Sequence, residues 1–181
     1  MPRSTSREAT VRPTGEGGTE TQAKELCLRL LTDRARSRAE LSERLAKKGY
    51  SADISERVLD RLSEVGLVND ADFAQQWVQS RHTYSGKGKR ALAMELRRKG
   101  IGQEHASEAL AQIDSEDERE RATELVAKKL RTLSVDDRDR AVRRLVSMLA
   151  RRGFSQGMAF EVVKEQLDHL GDDTDGMFDD G

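Results

Sequence analysis

Apolar residues recur at three- and four-residue spacings along most of the chain, and three of the resulting stripes stop at glycines 49, 100 and 153. Each stop closes one of three similar phrases, LAKKGYS at 45–51, LRRKGIG at 96–102 and LARRGFS at 149–155. Such a phrase reads as a helix end. The glycine takes the left-handed conformation that closes the turn, and the residue after it packs back on the residue five positions earlier, pairing Tyr50 with Leu45, Ile101 with Leu96 and Phe154 with Leu149. Upstream, Leu41, Leu92 and Leu145 stand one helical turn before those leucines. Downstream, Ile54, Val58, Leu59 and Leu62 align with His105, Ala109, Leu110 and Ile113, then with Met158, Val162, Val163 and, one place late, Leu167.

The glycine spacing is 51 and then 53 residues, which makes the chain an internal repeat and points to a solenoid-like array. A further helical segment precedes the pair in each period: TQAKELCLRLLTD at 21–33, DADFAQQWVQSRHTY with Phe73 and Trp77 one turn apart, and EDERERATELVAKKLRTL with Leu125, Val126 and Leu130. Start signals agree, with Ser37 and Glu40, Asp53 and Glu56, Ser115 and Glu118, and Ser134 and Asp137 spaced as capping boxes or their Asp variant, and Asn69 or Asp70 before Phe73. The expectation is all-α: three tandem three-helix repeats at 21–66, 67–114 and 115–170, between a disordered arm at 1–20 and an acidic disordered tail at 171–181.

Composition sharpens this picture. Both prolines lie in the first 13 residues, so no interior helix is broken, and no apolar run approaches the ~18 residues a bilayer crossing needs. The first twenty residues hold no apolar stretch of the kind a secretion signal carries. Charged residues make up 36% and aromatics 4%, too little apolar material per helix for one thick core, which favours a thin extended array. The single Cys27 falls on an apolar helix face and is expected to be a buried, unpaired thiol, in keeping with a reducing cytoplasm.

Charge is unevenly placed. The stretch from Asp168 onward holds six Asp and no Lys or Arg, so the chain's formal −1 becomes +5 for residues 1–167, counting side chains alone. The tail is expected to compete with phosphate for a basic body. Catalytic chemistry finds little support. One Cys cannot build a thiolate zinc site, and His82, His105 and His169 are scattered. SGKGKRA at 85–91 imitates a phosphate loop, but the pattern needs Gly where Thr83 stands and Ser or Thr where Arg90 stands, and a dinucleotide fingerprint needs a preceding strand. No enzyme, cofactor or metal is expected.

Binding is the better question. KGKRALAMELRRKG at 87–100 carries Lys87, Lys89 and Arg90 at one helix end and Arg97, Arg98 and Lys99 at the other, against the single acid Glu95. The helix dipole accounts for the second cluster and opposes the first, so something outside the helix uses those charges. Arg34, Arg36 and Arg38 occupy the equivalent loop of the first repeat, the dibasic turns add Lys47, Lys48, Arg151 and Arg152, and Arg138, Arg140, Arg143 and Arg144 alternate with Asp136, Asp137 and Asp139 in the third. Rows of Lys and Arg suit sequence-independent contact with nucleic-acid phosphates. Phe73 and Trp77 read as core rather than as a base-stacking platform, while Tyr84 beside the basic loop stays open.

These stretches carry a resemblance. RSRAELSERLAKKGY, GLVNDADFAQQWVQSRHTYSGKGKRALAMELRRKGI and, more weakly, RAVRRLVSMLARRGFSQGMAFEVV resemble the bacterial RecX family of recombination regulators over roughly residues 21–170. The resemblance implies three three-helix motifs in an elongated, curved molecule without a catalytic centre. It also implies a partner, the RecA recombinase filament on single-stranded DNA, which the family binds and generally restrains. From the residues themselves, weak sequence-independent contact to the strand and action as a cytoplasmic monomer are expected. Two other readings stay open, a purely protein-binding helical scaffold and a helix-turn-helix transcription factor. In the latter the helix after Gly49 would read DNA, although Asp53, Glu56 and Asp60 share it with Arg57 and Arg61. Circular dichroism is expected to be helix-dominated, and small-angle scattering to give a maximum dimension well above that of a compact 181-residue domain; a sheet-rich spectrum would remove the repeat reading.

Overall fold

The computed structural model describes residues 18–175, which form nine helices and no strand. Most of the expected arm and the tail beyond Asp175 lie outside the described residues. The chain divides into two compact units, one ending at Val68 and one beginning at Asn69. No described helix is long and apolar enough to cross a membrane.

The first unit holds α1 (Glu20–Asp33), α2 (Arg38–Lys47) and α3 (Ala52–Glu64). Their apolar stripes meet in a core of Ala23, Cys27, Leu41, Leu45, Val58, Leu59, Leu62 and Val68. Cys27 is buried and unpaired, and burial raises its thiol pKa. The second unit holds α4 (Asp70–Ser85), α5 (Lys89–Arg98) and α6 (Gln103–Ala111), then α7 (Ser115–Leu130), α8 (Arg138–Arg151) and α9 (Gln156–Asp175). Each trio has its own core: Phe73, Ala74, Val78, Leu92, Leu96 and Ile101 lead one, and Val126, Leu145, Leu149, Phe154, Val162 and Val163 the other. Phe73 is buried and stacks on half-buried Trp77 with ring centroids 5.7 Å apart, so the pair is core.

The three repeated phrases fold alike. Gly49, Gly100 and Gly153 have φ of +85°, +71° and +92°. The amides of Tyr50, Ile101 and Phe154 donate to the carbonyls of Leu45, Leu96 and Leu149 at 3.1, 3.0 and 3.1 Å. This satisfies carbonyls that the helix end would otherwise leave unpaired and turns the next residue into the core.

Helix starts depart from the sequence reading in three places. Ser51 rather than Asp53 caps α3, Asp114 with Asp117 rather than Ser115 with Glu118 caps α7, and Asp137 itself caps α8. The Ser37–Glu40 box and the Asn69 cap form as expected, and Thr19 with Gln22 adds a box at α1 inside the segment assigned to the arm. At the other end α9 continues to Asp175, so the segment from residue 171 begins as helix rather than as a disordered tail.

A close joint binds the two trios of the second unit. Gly88, the N-cap of α5, has no side chain to cap with, and its amide donates instead to the Arg152 carbonyl at 2.8 Å while that of Arg90 donates to the Gly153 carbonyl at 3.1 Å. Glu118 Oε1, from α7, accepts from the Lys89 amide at 2.9 Å and supplies the missing cap. A Cβ on Gly88 would lie 2.5 Å from the Gly153 oxygen, and one on Gly153 2.3 Å from Ala91. The phosphate-loop lookalike is therefore a packing device. Gly49→Ala, with open space around the Cβ, should cost about 1 kcal/mol from its left-handed backbone alone. Gly153→Ala adds a clash with α5 and should cost roughly 3 kcal/mol or more by urea denaturation; equal losses would show that the joint does not hold.

Candidate nucleic-acid and filament interface

The basic strip of the first repeat is engaged by neighbouring groups. Arg34 pairs with Glu40 at 3.0 Å, and Arg38 reaches Glu56 and Asp60, each at 2.7 Å. Arg36, with a side chain only 10% exposed, donates from Nε to the Leu30 carbonyl at 3.1 Å and completes the C-terminus of α1, whose last turn has no basic residue. Lys47 pairs with Glu43 at 2.6 Å and lowers that carboxyl's pKa, whereas exposed Lys48 has no ion pair among the described residues. Those strip cations answer internal charges and carbonyls.

The second repeat sorts its cations by helix face. Glu95 accepts from Trp77 Nε1 at 2.9 Å and from Arg81 Nε and Nη2, both at 3.1 Å, with Lys87 Nζ 3.9 Å away. Partial burial alone would raise the Glu95 pKa, but the hydrogen bonds from Arg81 and Trp77 outweigh it and hold the carboxyl below the ordinary Glu value. Lys99 Nζ lies 4.8 Å over the Trp77 ring and Arg81 5.4 Å, the geometry of a cation–π contact. Lys89 is half-buried beside Glu118. With Leu92 and Leu96 buried, the opposite face of α5 shows Arg90, Arg97 and Arg98, all exposed and without an ion pair among the described residues.

In the third repeat Arg152 is half-buried and donates to the Ser85 carbonyl at 2.9 Å, so it works in the joint, while Arg151 stays exposed. Arg140, Arg143 and Arg144 make no ion pair with the alternating acids among the described residues, although Asp136 and Asp137 line the same cleft as Arg140 and Arg144. Asp137 accepts from the Arg140 amide at the helix start and Asp136 from the Ser134 hydroxyl. Ala141, Leu145 and Leu149 face the core, which leaves Arg140, Arg144 and Arg151 on one outward stripe, with Arg143 beside it. This stripe is the feature the sequence reading undervalued. Its signal was the helical phase of α8 taken together with the engagement of the nearby acids. Arg138 differs, pairing with Asp168 and so holding the first of the six late Asp residues against the helical body.

Three three-helix trios in tandem, with outward cations on the middle helices α5 and α8, define a helical-repeat protein. Three family profiles match it in order: "RecX, first three-helix domain" over residues 23–62, "RecX, second three-helix domain" over 69–110 and "RecX, third three-helix domain" over 116–163. A regulatory protein RecX of Mycobacteroides abscessus is 65% identical over 147 residues, covering 81% of this chain and 72% of that protein. One from Mycolicibacterium smegmatis is 55% identical over 175 residues, covering 92% and 93%. The crystal structure of RecX from Lactobacillus salivarius superposes with a TM-score of 0.74 at 23% identity, over 81% of this chain and 95% of that one. The chain belongs to the RecX family of regulatory proteins.

Because Glu95 has a depressed pKa, the stability it contributes is present above the ordinary Glu pKa of ~4.3 and is lost as pH falls through the lower folded value. Fluorescence of Trp77, the one tryptophan, should report this loss. Glu95→Gln should abolish that transition and lower stability by on the order of 1–3 kcal/mol; an unchanged acid limb in the variant would assign it to another group.

Proposed function

We propose that the chain is a cytoplasmic regulator that binds the RecA filament on single-stranded DNA and restrains its recombinase, ATPase and co-protease activities. Family membership supports the partner. The observation that carries the contact is the outward face of α5 and α8, where Arg90, Arg97, Arg98, Arg140, Arg143, Arg144 and Arg151 stand exposed without ion pairs among the described residues. Such groups meet a phosphate without first giving up an internal partner. In the first repeat Arg44 and Lys48 are exposed without an ion pair among the described residues, whereas Arg34, Arg36, Arg38 and Lys47 are engaged within their own unit. In the second unit Lys87, Lys89, Lys99 and Arg152 are half-buried and serve the packing of the helices that present the face. Lying against strand and recombinase together, the basic face occupies surface that incoming duplex DNA and proteins cleaved with filament help require, and it resists the subunit motions that accompany ATP hydrolysis.

A transcription-factor role is disfavoured by α3, whose Glu56 and Asp60 pair with Arg38 and whose Arg57 and Arg61 lie 3.3 and 3.6 Å from Glu20. The exposed residues of its counterpart α6 include no cation. The test replaces Arg90, Arg97 and Arg98 by Gln. The expected outcome is a folded protein whose log affinity for oligo(dT) falls less steeply with log salt, by ~0.7 per lost contact, together with weaker inhibition of RecA-driven ATP hydrolysis. Unchanged inhibition with a flattened slope would favour the protein-binding scaffold.

A further inference from the structure

A cleft of about 500 Å³ opens at the C-terminal end of α7, within the range of small-ligand sites. Its charged lining is Lys128, Lys129, Arg131 and Arg152, with no carboxylate, and its apolar lining is Leu125 and Met148. Lys128, Lys129 and Arg131 make no ion pair among the described residues. The α7 dipole accounts for cations in and just after its last turn, but not for an open apolar floor beneath them, nor for a guanidinium arriving from the end of α8. That guanidinium is held in place, since Arg152 Nη1 donates to the Ser85 carbonyl at 2.9 Å. Tyr84, the residue before Ser85, is 85% exposed.

Four cations around an apolar floor suit a ligand with an anionic end and a flat apolar face. We propose that this cleft seats one nucleotide of a single strand, its phosphate among Lys128, Lys129, Arg131 and Arg152 and its base against Leu125 and Met148. The thioether of Met148 offers a polarisable contact to an aromatic ring, and cations beside a stacking surface are the usual means of holding a strand without reading its sequence. The assignment rests on the proposed function for the identity of the ligand. It differs from it in location, because none of Lys128, Lys129 and Arg131 belongs to the outward faces of α5 and α8.

The experiment measures fluorescence anisotropy of labelled dT20, and of the same strand with abasic sites, against the full chain across a salt series, without RecA. Lys128→Gln, Lys129→Gln and Arg131→Gln are combined in one variant whose helicity and melting are followed by circular dichroism. The parent should prefer the base-bearing strand; the variant should lose that preference and flatten the salt slope by ~0.7 for each of the three cations. If the triple variant does not fold, Arg131→Gln alone, at an exposed position, should flatten the slope by ~0.7. A folded variant that keeps both slope and base preference overturns the cleft while leaving the proposed function standing. A parent that binds no strand overturns both. Free dTMP bound as tightly as dT20 reassigns the cleft to a free nucleotide and overturns the strand assignment.

Discussion

Two amide hydrogens at the start of α5, those of Gly88 and Arg90, reach the carbonyls of Arg152 and Gly153 at the end of α8, and this backbone contact orders much of the second unit. It forms only because neither glycine has a side chain: a Cβ at either position would sit 2.3 to 2.5 Å from the opposing backbone or from Ala91. Once the backbones are this close, the unpaired donors of an α5 start and the unpaired carbonyls of an α8 end satisfy one another. Glu118 then takes the place of an N-cap side chain, and Arg152 is drawn across to Ser85. The repeated phrase therefore has two uses in one chain. At Gly49, where a Cβ would meet nothing within 4 Å, it closes a helix; at Gly153 it closes a helix and joins two trios.

The same joint decides which cations remain outside. Glu118 sits at the start of α5, where the helix dipole makes a cluster of cations unfavourable, and it offsets Lys89 there. Glu95, the single acid between Lys87 and Gly100, is turned inward to Trp77 and Arg81. With both carboxylates fixed on the inner side, Arg90, Arg97 and Arg98 make no ion pair among the described residues. On α8 one acid is engaged differently, by the helix start, since Asp137 caps it. Two separate local rules produce the same outward character.

The sequence made the turns, the count of helices and the core faces legible because each depends on residues within one turn of one another: a left-handed glycine, a leucine five residues before its packing partner, an apolar stripe at helical phase. Phe73, Trp77 and Cys27 followed from phase alone. Caps were less legible where Ser and Asp crowd one start, as at Ser51 and Asp53 or Asp114 and Ser115, because the buried residues set the helix phase and the phase selects the cap. Charge pairing was the least legible. Arg38 finds Glu56 and Asp60, eighteen and twenty-two residues on, and Glu118 finds an amide twenty-nine residues back. A row of arginines reads the same in sequence whether it faces phosphate or its own neighbours, and only the tertiary fold separates Arg36 from Arg97.

That separation has a physical consequence for any polyanion. For a cation already paired with a carboxylate, contacting a phosphate means releasing its partner, so the gain from displacing the polyanion's condensed counterions is offset by the loss of the old pair. Exposed surface pairs are weak, and a pair such as Lys47–Glu43 yields readily. Arg36 is different: its side chain is nearly enclosed and donates to the Leu30 carbonyl beside the Arg34 amide, so recruiting it would leave that carbonyl with the longer 3.4 Å bond alone and loosen the end of α1. Under the proposed function, the salt dependence of binding to a polyanion would follow the exposed cations without an ion pair among the described residues, Lys48 and those of α5 and α8 among them, fewer than the 32 Lys and Arg of the chain.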